Sequence, residues 1–205
     1  MVEAVGRWLL SVGIMLVSFS TAYAGKCEWK PASNGHVPEN ALVGGTEPGR
    51  AALYVCRVNA HGGVHPGKIV DKHCNISWGG KEELHQTYEV LTNCPGRWAP
   101  FQTGWKVGVN LSINGDLSVG PFVGPGQKPD PGNLSQGLVV GKEADGTPLV
   151  LCKAKYFPDL MGHPKGAHPG KIVKGNCNFA YGGKEIVWKP SSHIGNGFEY
   201  YVAER

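Results

Sequence analysis

The sequence predicts an all-β, disulfide-stabilised protein in which two tandem copies of one unit pack about a pseudo-two-fold axis as an antiparallel sandwich or barrel. Three observations predict it. The segment His65 to Glu82 recurs from His168 to Glu185, with 12 of 18 positions identical and no gap. The 31 glycines and 15 prolines interrupt helical periodicity every few residues. Six cysteines in a chain of 205 residues read as a disulfide framework.

Residues 1–24 read as a secretory signal. Arg7 precedes an apolar run from Trp8 to Phe19, and Ala22-Tyr23-Ala24 places small residues at the cleavage-determining positions. The run is short for a membrane span. The expectation is a secreted, extracellular protein cleaved near Ala24, with no membrane span. The mature chain divides into a first repeat over 25–97, a Gly/Pro-rich connector with a Trp-containing strand over 98–137, and a second repeat over 138–205.

Short β-branched or aromatic runs bounded by Gly, Pro or Asn predict strands. In order these are Leu53 to Asn59, Gly67 to Val70, Asn75 to Trp78, Tyr88 to Thr92, Lys106 to Ile113, Leu149 to Lys155, Gly170 to Val173, Asn178 to Tyr181 and Glu199 to Ala203. Upstream of the duplicated segment, Glu47, Leu53 and Cys56 match Glu143, Leu149 and Cys152 at an offset of 96, against 103 within it. The second copy therefore carries a seven-residue loop insertion around Tyr156 to Gly166. Downstream, Tyr88-Glu89-Val90-Leu91 has a counterpart in Phe198-Glu199-Tyr200-Tyr201. A unit of this size is too small to bury a core alone, so the copies should pack on each other, and any groove made of repeated residues should occur twice.

Repeat equivalence predicts the bridges Cys56 to Cys74 and Cys152 to Cys177, which leaves Cys27 for Cys94. No paired metal-ligand spacing is repeated, so neither metal nor cofactor is expected. The formal charge of +4 is scattered, which gives no support to nucleic-acid binding. Sequons at Asn75, Asn110 and Asn133 permit N-glycosylation, and Asn75 also reads as structural because the copy at Asn178 lacks the serine.

The chemistry-bearing residues are the duplicated Gly-Lys and Gly-Gly-Lys-Glu segments. A Pro-Gly turn would project Lys68 and Lys171 from rigid corners; the plainer reading makes these solvated turn residues. Vicinal hydroxyls are donors and acceptors at once, so a polyol site needs a fixed carboxylate beside a fixed ammonium. Glu47 with Lys68, and Glu143 with Lys171, can supply that pair. Glu82 and Glu185 are candidates for support. Trp78 and Tyr181 offer apolar faces for sugar C–H groups, or pack in the core.

These segments, with Leu53-Tyr-Val-Cys-Arg57, Tyr88-Glu-Val-Leu91 and the stretch Trp29-Lys-Pro-Ala-Ser-Asn-Gly-His-Val-Pro38, resemble the DM9 repeat over residues 27–91 and 138–205. The resemblance implies a tandem β fold and, for some members, mannose-type recognition in innate defence. In those lectins the residues at Glu47, Lys68, Glu143 and Lys171 contact the sugar. Here both acids are Glu where the lectins have Asp. In copy two the Trp-containing upstream pattern leaves only a faint echo between Phe122 and Gly137.

The implied partners are mannose-like glycans on microbial or cell surfaces, with two sites per chain or a homodimer supplying avidity. DM9-like segments also open the natterin-type venom proteins, whose pore formation belongs with a second region, so pore formation is not expected of this chain. Gly115-Asp-Leu-Ser-Val-Gly-Pro121 has a displaced serine and no partners, so no enzyme is expected. The rival reading is a structural or protein-interaction module, or a venom component without a sugar site.

Overall fold

The computed structural model describes residues 27–101, 106–111, 117–122, 134–157, 165–190 and 197–204. The expected leader and Asn133 lie outside these ranges, as does Trp105. The strands are β1 (Glu28–Ser33), β2 (Val43–Glu47), β3 (Arg50–Ala60), β4 (Gly63–Val70), β5 (His73–Trp78), β6 (Lys81–His85), β7 (Thr87–Thr92) and β8 (Gly96–Pro100). Then follow β9 (Lys106–Leu111), β10 (Leu117–Phe122), β11 (Val139–Lys142), β12 (Pro148–Lys155), β13 (Ala167–Val173), β14 (Asn176–Tyr181), β15 (Lys184–Trp188) and β16 (Phe198–Ala203). A 3-10 turn, Leu134–Gln136, precedes β11. Among the described residues no helix is long and apolar enough to cross a membrane.

Fourteen strands form one antiparallel sheet, and β9 pairs with β10 apart from it. Pairing of β3 with β4 closes β2, β3, β4, β5, β6, β15, β14 and β13 into an eight-stranded barrel. A pseudo-two-fold relates β1 to β8, β2 to β11, and β3 through β7 to β12 through β16. The registers show it: Cys56 faces Val90 as Cys152 faces Tyr200. Trp29 pairs with Leu91, and Trp98 with Tyr201. The structural counterpart of Trp29 is therefore Trp98, at the start of the connector and not between Phe122 and Gly137.

Each copy has its own core, and the two share a third. Val58, Ile69, Ile76 and Val90 surround the Cys56–Cys74 bridge. Phe179, Ile172, Trp188 and Phe198 surround Cys152–Cys177. The shared cluster takes Val55 and Leu91 from the first copy and Val140, Leu151 and Tyr201 from the second, beside Cys94 of the Cys27–Cys94 bridge. Leu91 and Leu151 are fully buried, each worth about 2–3 kcal/mol by transfer from water. Repeat packing thus completes a core that neither copy holds alone.

The seam requires glycine. A Cβ at Gly45 on β2 would overlap the carbonyl of Ala167 on β13, and one at Gly141 on β11 would overlap that of Val64 on β4. Absent side chains let each copy lay a strand across the other.

Candidate functional site

The Pro-Gly-Lys segments are not turns. His65-Pro-Gly-Lys68 runs through β4 and His168-Pro-Gly-Lys171 through β13, and both lysines are only 2 % exposed. Each proline stands where the neighbouring strand changes. Val64 bridges β11 while Gly67 to Val70 pair with β5, and Ala167 bridges β2 while Lys171 to Val173 pair with β14. A missing N–H costs no ladder bond at such a switch. Gly67 and Gly170 keep the strand close to its neighbour, since a Cβ there would overlap the carbonyls of Asn75 and Asn178.

Each buried lysine reaches a histidine of the other copy. Lys68 Nζ donates to His168 Nδ1 at 3.1 Å, and Lys171 Nζ donates to His65 Nδ1 at 3.0 Å. His168 passes its Nε2–H to the Lys165 carbonyl at 3.0 Å, which fixes its tautomer. Both imidazoles are fully buried. Burial, then the neighbouring Lys68, pushes the His168 pKa down to about 3, so it is a neutral acceptor at ordinary pH. His65 is depressed by burial and by Lys171, with Glu143 pulling the other way. Burial also lowers both lysines, against the upward pull of Glu47 and Glu82 on Lys68 and of Glu143 and Glu185 on Lys171.

The first cluster gathers Lys68, Glu47, Glu82, His168 and Tyr181. The Lys68 ammonium lies 5.3 Å from the Tyr181 ring centre, and the Tyr181 phenol is raised by burial and then by Glu47. The second gathers Lys171, Glu143, Glu185 and His65, with Glu143 Oε1 3.7 Å from Lys171 Nζ and Oε2 3.9 Å from His65 Nδ1. Among the described residues no cation lies over Trp78. It stacks flat on His61, with ring centres 3.6 Å apart. In the first cluster Tyr156 meets Tyr181 edge-on instead.

Glu82 and Glu185 act as clamps. Glu82 accepts from Asn75 Nδ2 at 2.8 Å and from the Gly183 N–H at 2.7 Å. Glu185 accepts from Asn178 Nδ2 at 3.0 Å and from the Gly80 N–H at 2.9 Å. Each carboxylate thereby ties its own β-hairpin to the tip of the other copy's. Asn75 is buried with its Nδ2 engaged, so the folded chain leaves no room for a glycan there. Asn110 lies on β9.

The residues that sequence reasoning passed over are His65 and His168. They stood at matching positions in the duplicated motif, but a histidine that serves the lysine of the other copy is not visible within one copy. An open cleft of about 480 Å³ lies elsewhere, between Arg57, Glu89, Val139 and Lys142, and neither lysine lines it.

Fold and clusters together define a tandem-repeat β-barrel with two cross-repeat Lys–His centres. The DM9 repeat matches the chain over residues 15–73 and again over 47–108, and the chain belongs to the DM9 repeat family. The crystal structure of the nematode sperm cell motility protein MFP2B shares the fold, with a TM-score of 0.54 and 14 % identity. That alignment covers 98 % of this chain and 50 % of the nematode protein, so the chain spans half its length. No curated protein matches.

Proposed function

We propose that this chain is a secreted, non-catalytic carbohydrate-recognition protein of mannose type, with one saccharide site at each Lys–carboxylate cluster. The observation that carries the reading is the Glu143–Lys171 pair: an ammonium and a carboxylate 3.7 Å apart, the carboxylate side chain 29 % exposed. A hydroxyl can accept from the first while its neighbour donates to the second. DM9 membership supports this reading, and so does the recurrence of the acid and the lysine in both copies. Two weak sites on one chain would gain strength against a glycan-coated microbial or cell surface by multivalency.

Burial of the lysines supports a second reading, in which the Lys–His pairs are structural polar links between repeats and the chain is an interaction module. The test is a glycan array probed with mature protein beside two double variants. Glu47→Gln with Glu143→Gln changes partly exposed acids and should keep the fold while losing mannoside signal. Lys68→Met with Lys171→Met should lose signal and also lower the melting temperature. Silence of the folded parent protein across the array would end the saccharide reading in favour of the interaction module.

A further inference from the structure

The two clusters differ in what holds the acid. In the second copy Glu143 faces Lys171, Oε1 3.7 Å from its Nζ, and His65, Oε2 3.9 Å from its Nδ1. In the first, Glu47 Oε2 is ion-paired with Arg50 Nε at 3.2 Å. Arg50 is anchored in turn by Asp71, Nη1 to Oδ1 at 2.9 Å and Nη2 to Oδ2 at 3.4 Å. Among the described residues no carboxylate comes within 4.0 Å of Lys68 Nζ. At the offsets that relate the copies, position 50 corresponds to Gly146 and position 71 to Lys174. The second copy therefore lacks both the guanidinium and its anchor.

We propose that Arg50 is a positioning residue that makes the two saccharide sites unequal: it holds Glu47 away from Lys68, so a neutral hexose binds more tightly at Glu143–Lys171. The proposal rests on the saccharide reading above and adds to it an order of affinity and its cause. A vicinal diol needs donor and acceptor side by side, and an acceptor already paired with a guanidinium N–H is directed elsewhere. Arg50 also places a second positive charge near Lys68, which further disfavours the ammonium there.

Arg50 lies on the hairpin edge, so its removal leaves all three cores untouched. The experiment is a residue-resolved NMR titration of the full mature chain with methyl α-mannopyranoside, following amides beside Lys68 and Lys171 separately. We expect the Lys171 site to bind about threefold to tenfold more tightly, the scale of one weakened charge-assisted hydrogen bond. Arg50→Ala should tighten the Lys68 site alone and bring the ratio below about twofold. In the absence of sugar, the same variant should raise the titration midpoint of the Lys68 side chain, read from its 13Cε shift, and leave Lys171 where it was. Equal affinities in the unmodified protein, or an Arg50→Ala variant with an unchanged Lys68 site, would overturn the proposal while the saccharide reading stands. Absence of sugar-dependent shifts at both sites would overturn both together.

Discussion

Around Lys68 the aromatic wall is Tyr181, with its ring beneath the ammonium, and the acid Glu47 is tied to Arg50; around Lys171 the acid Glu143 has no guanidinium partner among the described residues, and Trp78 has turned its face to His61. The two copies thus repeat those groups whose partner sits in the other copy: the histidine that receives the opposite lysine, the clamp glutamates, the seam glycines. They diverge at Arg50, Asp71, His61 and Tyr156, whose contacts fall on their own side of the seam or at its margin. A residue that bridges the pseudo-axis answers to the geometry of both copies. A residue at the margin answers to one, and there the sites acquired separate characters.

The largest test of this division falls on the seam. Gly141→Val and Gly45→Val each force a side chain into a backbone carbonyl of the other copy. Each should cost about 3 kcal/mol or more, lowering the melting temperature by roughly 6–12 °C in a chain of this size. Calorimetry on both variants checks it. A large loss in one and none in the other would show that the copies do not share the seam equally.

Acid should separate the copies next. His168 titrates near 3 when folded and near its ordinary 6.5 when unfolded, so the unfolded state binds the extra proton between those values. Its contribution is complete above pH 6.5 and is lost as the pH falls toward 3. At pH 4.5 the loss is about 2–3 kcal/mol. His65 contributes in the same direction, with Glu143 opposing its depression. Urea unfolding at pH 7 and 4.5 should show a steep acid loss that His168→Gln flattens more than His65→Gln does. The reverse order would mean that Glu143 leaves His65 the more strongly depressed of the two.

Much of the frame was legible in the residues. The duplication called for the Cys56–Cys74 and Cys152–Cys177 bridges, and the structure contains both. Strands with β-branched or aromatic runs, such as β3 and β12, stood out from their composition. Those that escaped, β1, β2, β6, β8, β10, β11 and β15, are interrupted by glycine or proline or open on charged residues: Val-Gly-Gly-Thr-Glu on β2 and Lys-Glu-Glu-Leu-His on β6 lack strand propensity and are held by pairing to other strands. Pro66-Gly67 misled most, because local turn chemistry was overruled by a strand switch that only the tertiary pairing reveals. That error placed Lys68 and Lys171 on projecting, solvated corners. Buried against the opposite histidines, they now carry a stability cost as well as the proposed sugar contact.

The smallest expected effects concern the rim, where the copies solve one problem with two cations. Arg57 lies 4.1 Å from the Trp29 ring and bonds Glu89 at 2.8 Å; Lys153 lies 4.3 Å from the Trp98 ring and bonds Glu199 at 2.9 Å. Guanidinium stacks flat on indole and keeps a planar fork for the carboxylate, whereas an ammonium offers a point charge and loses more water of hydration. Arg57→Lys should therefore destabilise by about 0.5 kcal/mol, and Lys153→Arg should be neutral or stabilise by a similar amount. Chemical unfolding of the two variants and of the double exchange measures both changes. If the rim triads are equivalent supports for the shared core, the exchange nearly cancels; if Arg57 is required for reasons of shape around Trp29, its loss persists in the double variant.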